Sequence, residues 1–249
     1  MAKVAVIQSN YIPWKGYFDI IHDVDLFIFY DDVQYTKNDW RNRNKIKAAH
    51  GLSWLTIPVG SHNGKLIYQI DLTDTRWCSK HWSTIRQYYS KAPYFEQYRG
   101  FFENVYLETE WTNLSDLNQF LIRTVSTEFL KVNTRIKDSR EFCIEGSKLD
   151  RLIDLLQKVD ATAYVSGPSA RGYIDERKFA KVGIELIYKD YSGYPEYPQL
   201  FPPFEHQVSI LDVLLNCGPK SHWYIWGWRQ DTLNAGEPNI LTGETYETE

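Results

Sequence analysis

Apolar and polar positions along this chain switch repeatedly between two periods. A short apolar run over 4–7 leads through a turn containing Pro13 and Gly16 into a segment with apolar residues at helical spacing, 17–24. A second apolar run, 26–30, then stops abruptly at Asp31-Asp32. Continuous apolar runs of this length mark strands covered on both faces, and the intervening 3.6-residue period marks the crossover helix of a βαβ unit. The same order returns later: helix 147–158 with Leu149, Leu152, Ile153, Leu155 and Leu156 on one face, strand 161–166, helix 175–182 and strand 184–188. This alternation predicts an α/β fold, a mainly parallel sheet flanked by helices.

Between these halves the pattern is different. Residues 53–59 and 66–72 read as strands around an Asn63-Gly64 turn, which predicts a hairpin over 55–72. Helical periodicity follows over 80–89, 95–107 and 115–130, interrupted at Ala92-Pro93, with Ser115 in N-cap position. A short strand is predicted over 134–138, a proline- and tyrosine-rich ordered loop over 191–204, and a helix over 207–216. The expected organisation is one α/β domain over 1–228, with 78–134 as a helical lid or subdomain and 229–249 as a polar, acidic tail.

Composition narrows the class. The 249 residues suffice for one large domain, and a net charge of −4 gives no global field for nucleic acid or anionic lipid. Three widely spaced cysteines without a CxxC pair argue for reduced thiols, and no stretch is apolar for long enough to span a bilayer. The N-terminus enters a strand without the basic and apolar start of a signal peptide. A cytoplasmic protein is expected. The content of 9 Trp and 18 Tyr is high, and rings serve both core packing and stacking on planar or sugar ligands.

Candidate chemistry gathers where the strands end, the usual position of sites in open α/β sheets. Asp31 and Asp32 close the second strand; neighbouring strand residues face opposite sides, so one of them at most serves a given site. The cluster Gln34, Trp40, Arg41, Asn42 and Arg43 supplies forked donors suited to phosphate or carboxylate. The turn Tyr11, Ile12, Pro13, Trp14, Lys15, Gly16 opens a helix whose free N–H groups favour an anion. It has neither GxGxxG nor P-loop glycines. Its placement resembles that of the phosphate-holding turn in the nucleotidylyltransferase-type fold, whose two histidines are missing here, and the sheet is expected to be nucleotidylyltransferase/Rossmann-like. Ser166 and Gly167 end another strand with small residues that let a ligand approach. His81 with the nearby Cys78 is the candidate Cys/His nucleophile pair; no metal-ligand spacing is present, and the sequence leaves any cofactor unknown.

The stretch QSNYIPWKGYFDIIHDVDLFIFYDDVQYTKNDWRNRNKIK followed by WLTIPV resembles the WbqC-like family. The resemblance continues through KHWSTIRQYYSKAPYF, YVSGPSARGYID and YPQLFPPFEHQVSILDVLLNCG, nearly the whole chain short of its tail. The family's pattern falls on Gln8, Tyr11, Trp14, Gly16, Asp31, Asp32, Gln34, Trp40, Arg41, Asn42, Arg43, His81, Ser166, Gly167, Tyr173 and Gln199; Ser9-Asn10 departs from it. Members occur in O-antigen and surface-polysaccharide gene clusters. The resemblance therefore implies a transferase of polysaccharide biosynthesis acting on a nucleotide-linked amino sugar, by acyl or aminoacyl transfer to the sugar amine. Asp32 or His81 would take the proton and Arg41, Arg43 and the helix start at Gly16 would hold the diphosphate. Trp14, Trp40 and Tyr173 would stack on sugar or base, and Gln8 and Gln34 would orient the substrate. The expected partner is thus an anionic small molecule with an unidentified acyl donor, in a chain that can form a homo-oligomer. Two alternatives stay open: nucleotidyl transfer from a nucleoside triphosphate with magnesium, and a non-catalytic sugar-nucleotide or glycan binding module.

Overall fold

The structure, a computed structural model, describes residues 2–230. Five parallel strands form the main sheet: β1 (Ala2–Ile7), β2 (Leu26–Phe29), β5 (Arg135–Asp138), β6 (Ala161–Ser166) and β7 (Glu185–Tyr188), in the order β5-β2-β1-β6-β7. The chain builds outward from β1 to one side, then crosses over to build outward on the other. The order reverses between β1 and β6, so the carboxyl ends of these two strands flank the crevice where open α/β sheets bind ligands.

Alternation within each strand divides the core into two layers. Ala5, Phe27 and Phe29 face a large cluster, whereas Val4, Val6, Leu26 and Ile28 face a smaller one. The smaller layer is covered by α5 (Lys148–Lys158) and α6 (Glu176–Lys181) through Ile153, Leu155, Leu156 and Phe179. The larger is covered by α1 (Lys15–His22), by α7 (Ile210–Cys217) and by the helical middle: α2 (Arg76–Tyr89), α3 (Phe95–Glu103) and α4 (Leu114–Thr124). Trp82, Phe102 and Leu117 from that middle segment lie in one cluster with Phe27 and Phe29 of the sheet. Helices α3 and α4 each run on into a π-helical turn, Asn104–Glu108 and Val125–Phe129.

Two local expectations are corrected. The hairpin is formed by β3 (Arg43–Ala48) and β4 (Gly51–Thr56), paired Arg43 with Thr56 through Ala48 with Gly51, and not by 55–72. Gly51, at φ +114°, follows the two-residue loop Ala49-His50 and takes a backbone conformation that side chains resist. Around Asn63-Gly64 no ladder forms; the chain from Leu66 makes a 3-10 turn, Ile67–Gln69. The N-cap of α4 is Asn113, whose side chain accepts from the Ser115 and Asp116 N–H groups; Ser115 is buried and turned to another partner. Cys78, Cys143 and Cys217 are free thiols, and no helix among the described residues is long and apolar enough to cross a membrane. The acidic tail beyond Gln230 lies outside the described residues.

Candidate functional site

A cleft of about 860 Å³ opens at the crevice between β1 and β6. Ile7 and Gln8 end β1 on one side, Ser166 and Gly167 end β6 on the other, and Leu149 and Leu152 of α5 supply an apolar wall. Trp14, Trp40 and Arg41 close it towards the hairpin, and Tyr173, 76% exposed, stands at the rim. Of the residues singled out in the sequence, the fold thus brings Gln8, Trp14, Trp40, Arg41, Ser166, Gly167 and Tyr173 to one space.

Arg41 is held by three neighbours. Its guanidinium donates to the Gln8 side-chain carbonyl and, at 2.7 Å, to Asn10 Oδ1, and it lies 3.5 Å from Asp39 Oδ2. Its Nε is buried and has no acceptor among the described residues. A guanidinium fixed mainly by neutral amides keeps most of its charge available to an anion. Lys148, at the exposed start of α5, adds a second cation to the lining. Asp39 is the carboxylate of the cleft; burial raises its pKa, but the Arg41 charge and hydrogen bonds from Thr36 Oγ1 and the Trp40 N–H bring it below the usual carboxylate range. Tyr30, also in the lining, is shifted up by burial.

Gly16 lies beneath Trp14. A Cβ atom there would sit 2.3 Å from the Trp14 ring, so the indole rests on the first turn of α1 and covers the helix start expected to hold a diphosphate. Tyr191 and Tyr194 meet Trp14 edge-on, with ring centroids 5.0 and 6.0 Å away. Tyr17 Oη donates to the Gln8 carbonyl at 3.0 Å and so joins α1 to the end of β1.

The remaining candidates are drawn into the framework. Asp31, fully buried, accepts from the Ser9 N–H (2.8 Å), Ser115 Oγ (2.5 Å) and Gln119 Nε2 (3.1 Å), tying the ends of β1 and β2 to α4. Asp32 accepts from Ser139 Oγ at 2.5 Å and is ion-paired with Arg151 of α5. Neither carboxylate lines the cleft. His81 does not reach it either. It is buried in the helical layer, where Nε2–H donates to the Thr56 carbonyl (3.2 Å) and Nδ1 accepts from Tyr11 Oη (2.8 Å), itself 2.6 Å from Tyr106 Oη. Burial lowers its pKa to about 4, so it is neutral in the physiological range. The expected roles of Asp32 and His81 as bases are corrected on position: neither lines the cleft, and His81 is in addition sealed with both ring nitrogens occupied.

Asn42 donates to the Ile57 carbonyl at 2.8 Å, and Gln199 clamps its own loop through Glu205 and Asp212. Gln34 is exposed and bridges to Leu66 away from the cleft. Arg43 donates to the Asn38 carbonyl, and its guanidinium carbon is 4.5 Å from the centroid of Trp54, on the outer face of the hairpin. Sequence reasoning missed Asp39, Lys148 and Tyr30. Asp39 sits two residues from Arg41, and that proximity was the available signal.

A profile of the WbqC-like protein family matches residues 8–224. An uncharacterised protein of Mycobacterium tuberculosis (strain ATCC 25618 / H37Rv), Rv1507c, is 46% identical over 233 residues, covering 92% of this chain and 100% of the relative. No solved structure matches the chain.

Proposed function

This chain belongs to the WbqC-like protein family, and from that premise we propose that it is a transferase of polysaccharide biosynthesis whose cleft between β1 and β6 takes a nucleotide-linked amino sugar. Family membership itself points to polysaccharide biosynthesis. The observation that carries the finer reading is Arg41, a guanidinium held by Gln8 and Asn10 at the strand-order reversal, in a cleft of a size suited to a sugar nucleotide. Arg41 and Lys148 answer the diphosphate, and Leu149, Leu152 and Tyr173 offer apolar and aromatic surface to the base. The amine nitrogen attacks the acyl carbon of the donor, the bond from that carbon to the donor's carrier breaks, and a base removes the proton from the new amide nitrogen. Asp39 takes that role in place of Asp32 and His81. Although a weak base, it suffices, because nitrogen becomes strongly acidic once it has attacked.

A thermal-shift panel tests this reading, since ligands that bind the folded state raise its melting temperature by mass action. The panel comprises nucleotide-linked sugars with and without a free amine, acyl-CoA donors, and ATP and CTP with magnesium. A concentration-dependent rise with the amino-sugar nucleotide, lost in Arg41→Ala, is expected. A rise confined to triphosphate with magnesium overturns it in favour of nucleotidyl transfer.

A further inference from the structure

Behind the wall formed by Trp14 and Trp40 lies a second, smaller space of about 190 Å³, lined by these two indoles, Pro13, Asn10, Asn44 and Gln207. Both tryptophans also line the large cleft, so the two spaces meet at this pair of rings. Its size decides what fits: a cavity of about 150 Å³ accepts one benzene ring, so this one accepts a single six-membered ring with small substituents.

Its polar lining consists of amides alone. Asn44 is committed to the fold, donating to the Tyr11 and Ile12 carbonyls and accepting from the Lys45 N–H. Asn10 gives its Oδ1 to Arg41, which leaves its NH2 group as a donor. The Gln207 side chain has no hydrogen-bond partner among the described residues and offers both a donor and an acceptor. Aromatic and proline walls with neutral amides suit the apolar faces and hydroxyl edge of a pyranose. With no charged side chain in the lining, the space disfavours a carboxylate or an ammonium, which would be desolvated without a partner.

The geometry assigns this compartment to the uncharged pyranose ring of the substrate, with the anionic remainder lying past Trp40 against Arg41. The inference rests on the sugar-nucleotide reading and adds a specificity to it. An amine on the ring enters as the free base, the form that attacks. Asp39, bonded to the Trp40 N–H at 2.7 Å, stands on the cleft side of the shared wall, so it serves an amine presented at the edge of Trp40 where the two spaces meet. Uronic acids are disfavoured, because the lining offers their carboxylate no cation.

Saturation-transfer NMR on the full chain tests this with four probes: UDP-glucosamine, UDP-glucuronic acid, methyl glucoside and methyl glucuronide. The pyranose protons of UDP-glucosamine should take up saturation as strongly as its base protons. Trp40→Ala and Gln207→Ala, both at exposed positions, should each weaken pyranose contact roughly fivefold. Both uronates should bind at least about tenfold more weakly than their uncharged counterparts. If no nucleotide sugar binds but methyl glucoside does, with the same dependence on Trp40 and Gln207, the compartment stands and the sugar-nucleotide reading falls. Saturation confined to the nucleotide, equal binding of the uronates, or no binding by any probe overturns the assignment.

Discussion

The ring of Trp14 rests on Gly16, so closely that a Cβ atom at position 16 would lie 2.3 Å from it. One residue without a side chain thereby sets the position of an indole shared by the large cleft and the small compartment. Gly16→Ala forces the ring or the helix to move. Overpacking of this kind costs about 1–3 kcal/mol, so chemical denaturation should show a loss of that order, with weakened ligand binding in the same variant.

Asp32 and Arg151 join the end of β2 to α5, with side chains 11% and 25% exposed. Asp32→Asn should lower stability by roughly 1–3 kcal/mol, between the values for surface and buried pairs. Ligand affinity should change far less than in Arg41→Ala. Equal loss of binding in the two variants would return Asp32 to the site.

His81 is a pH-sensitive element of the fold. Its folded pKa, about 4, lies below the ordinary value of 6.5, so the unfolded chain binds more protons between these values. Its contribution is complete above pH 6.5 and is lost as pH falls towards 4, a change on the order of 3 kcal/mol. Denaturation from pH 7 to 4 should show a loss of stability that is reduced in His81→Gln, while binding at pH 7 persists in that variant.

Lys15 is buried with its ammonium 4.7 Å from the Tyr194 ring centroid and 5.3 Å from that of Tyr197, without a hydrogen-bond acceptor among the described residues. Burial lowers its pKa to about 8, against the partial support of nearby Cys217 and Asp212. A charge that meets ring faces and has no hydrogen-bonded acceptor gains less from its surroundings than it loses on leaving water, even with carboxylates nearby. Lys15→Met should therefore be neutral or raise the melting temperature.

Strands β1, β2, β6 and β7 were legible as short runs rich in apolar residues next to segments of helical period, whereas β5, with Ile136 as its one apolar residue, carries little of that pattern. Their order was not, since β1 and β6 are brought together by a crossover that no local pattern encodes. The hairpin escaped because β3 carries Asn44 on the buried face it shares with Ile46 and Ala48, where period-two reading expects an apolar residue. Arg41, Trp40 and Gln8 were legible as donors and rings beside strand ends. Asp31, Asn42 and His81 have the same chemistry in sequence, and only burial separates them from the site.

Gly167 gives the most direct test of the cleft. It ends β6 at the cleft with φ −69°, and a Cβ atom there would meet nothing within 4 Å. Gly167→Trp therefore adds a bulky side chain at the cleft wall, with room for its Cβ and a backbone conformation that any residue adopts. Isothermal titration with UDP-glucosamine should show affinity reduced at least about tenfold with an unchanged melting temperature. Undiminished affinity in the folded variant would contradict the placement of the site between β1 and β6.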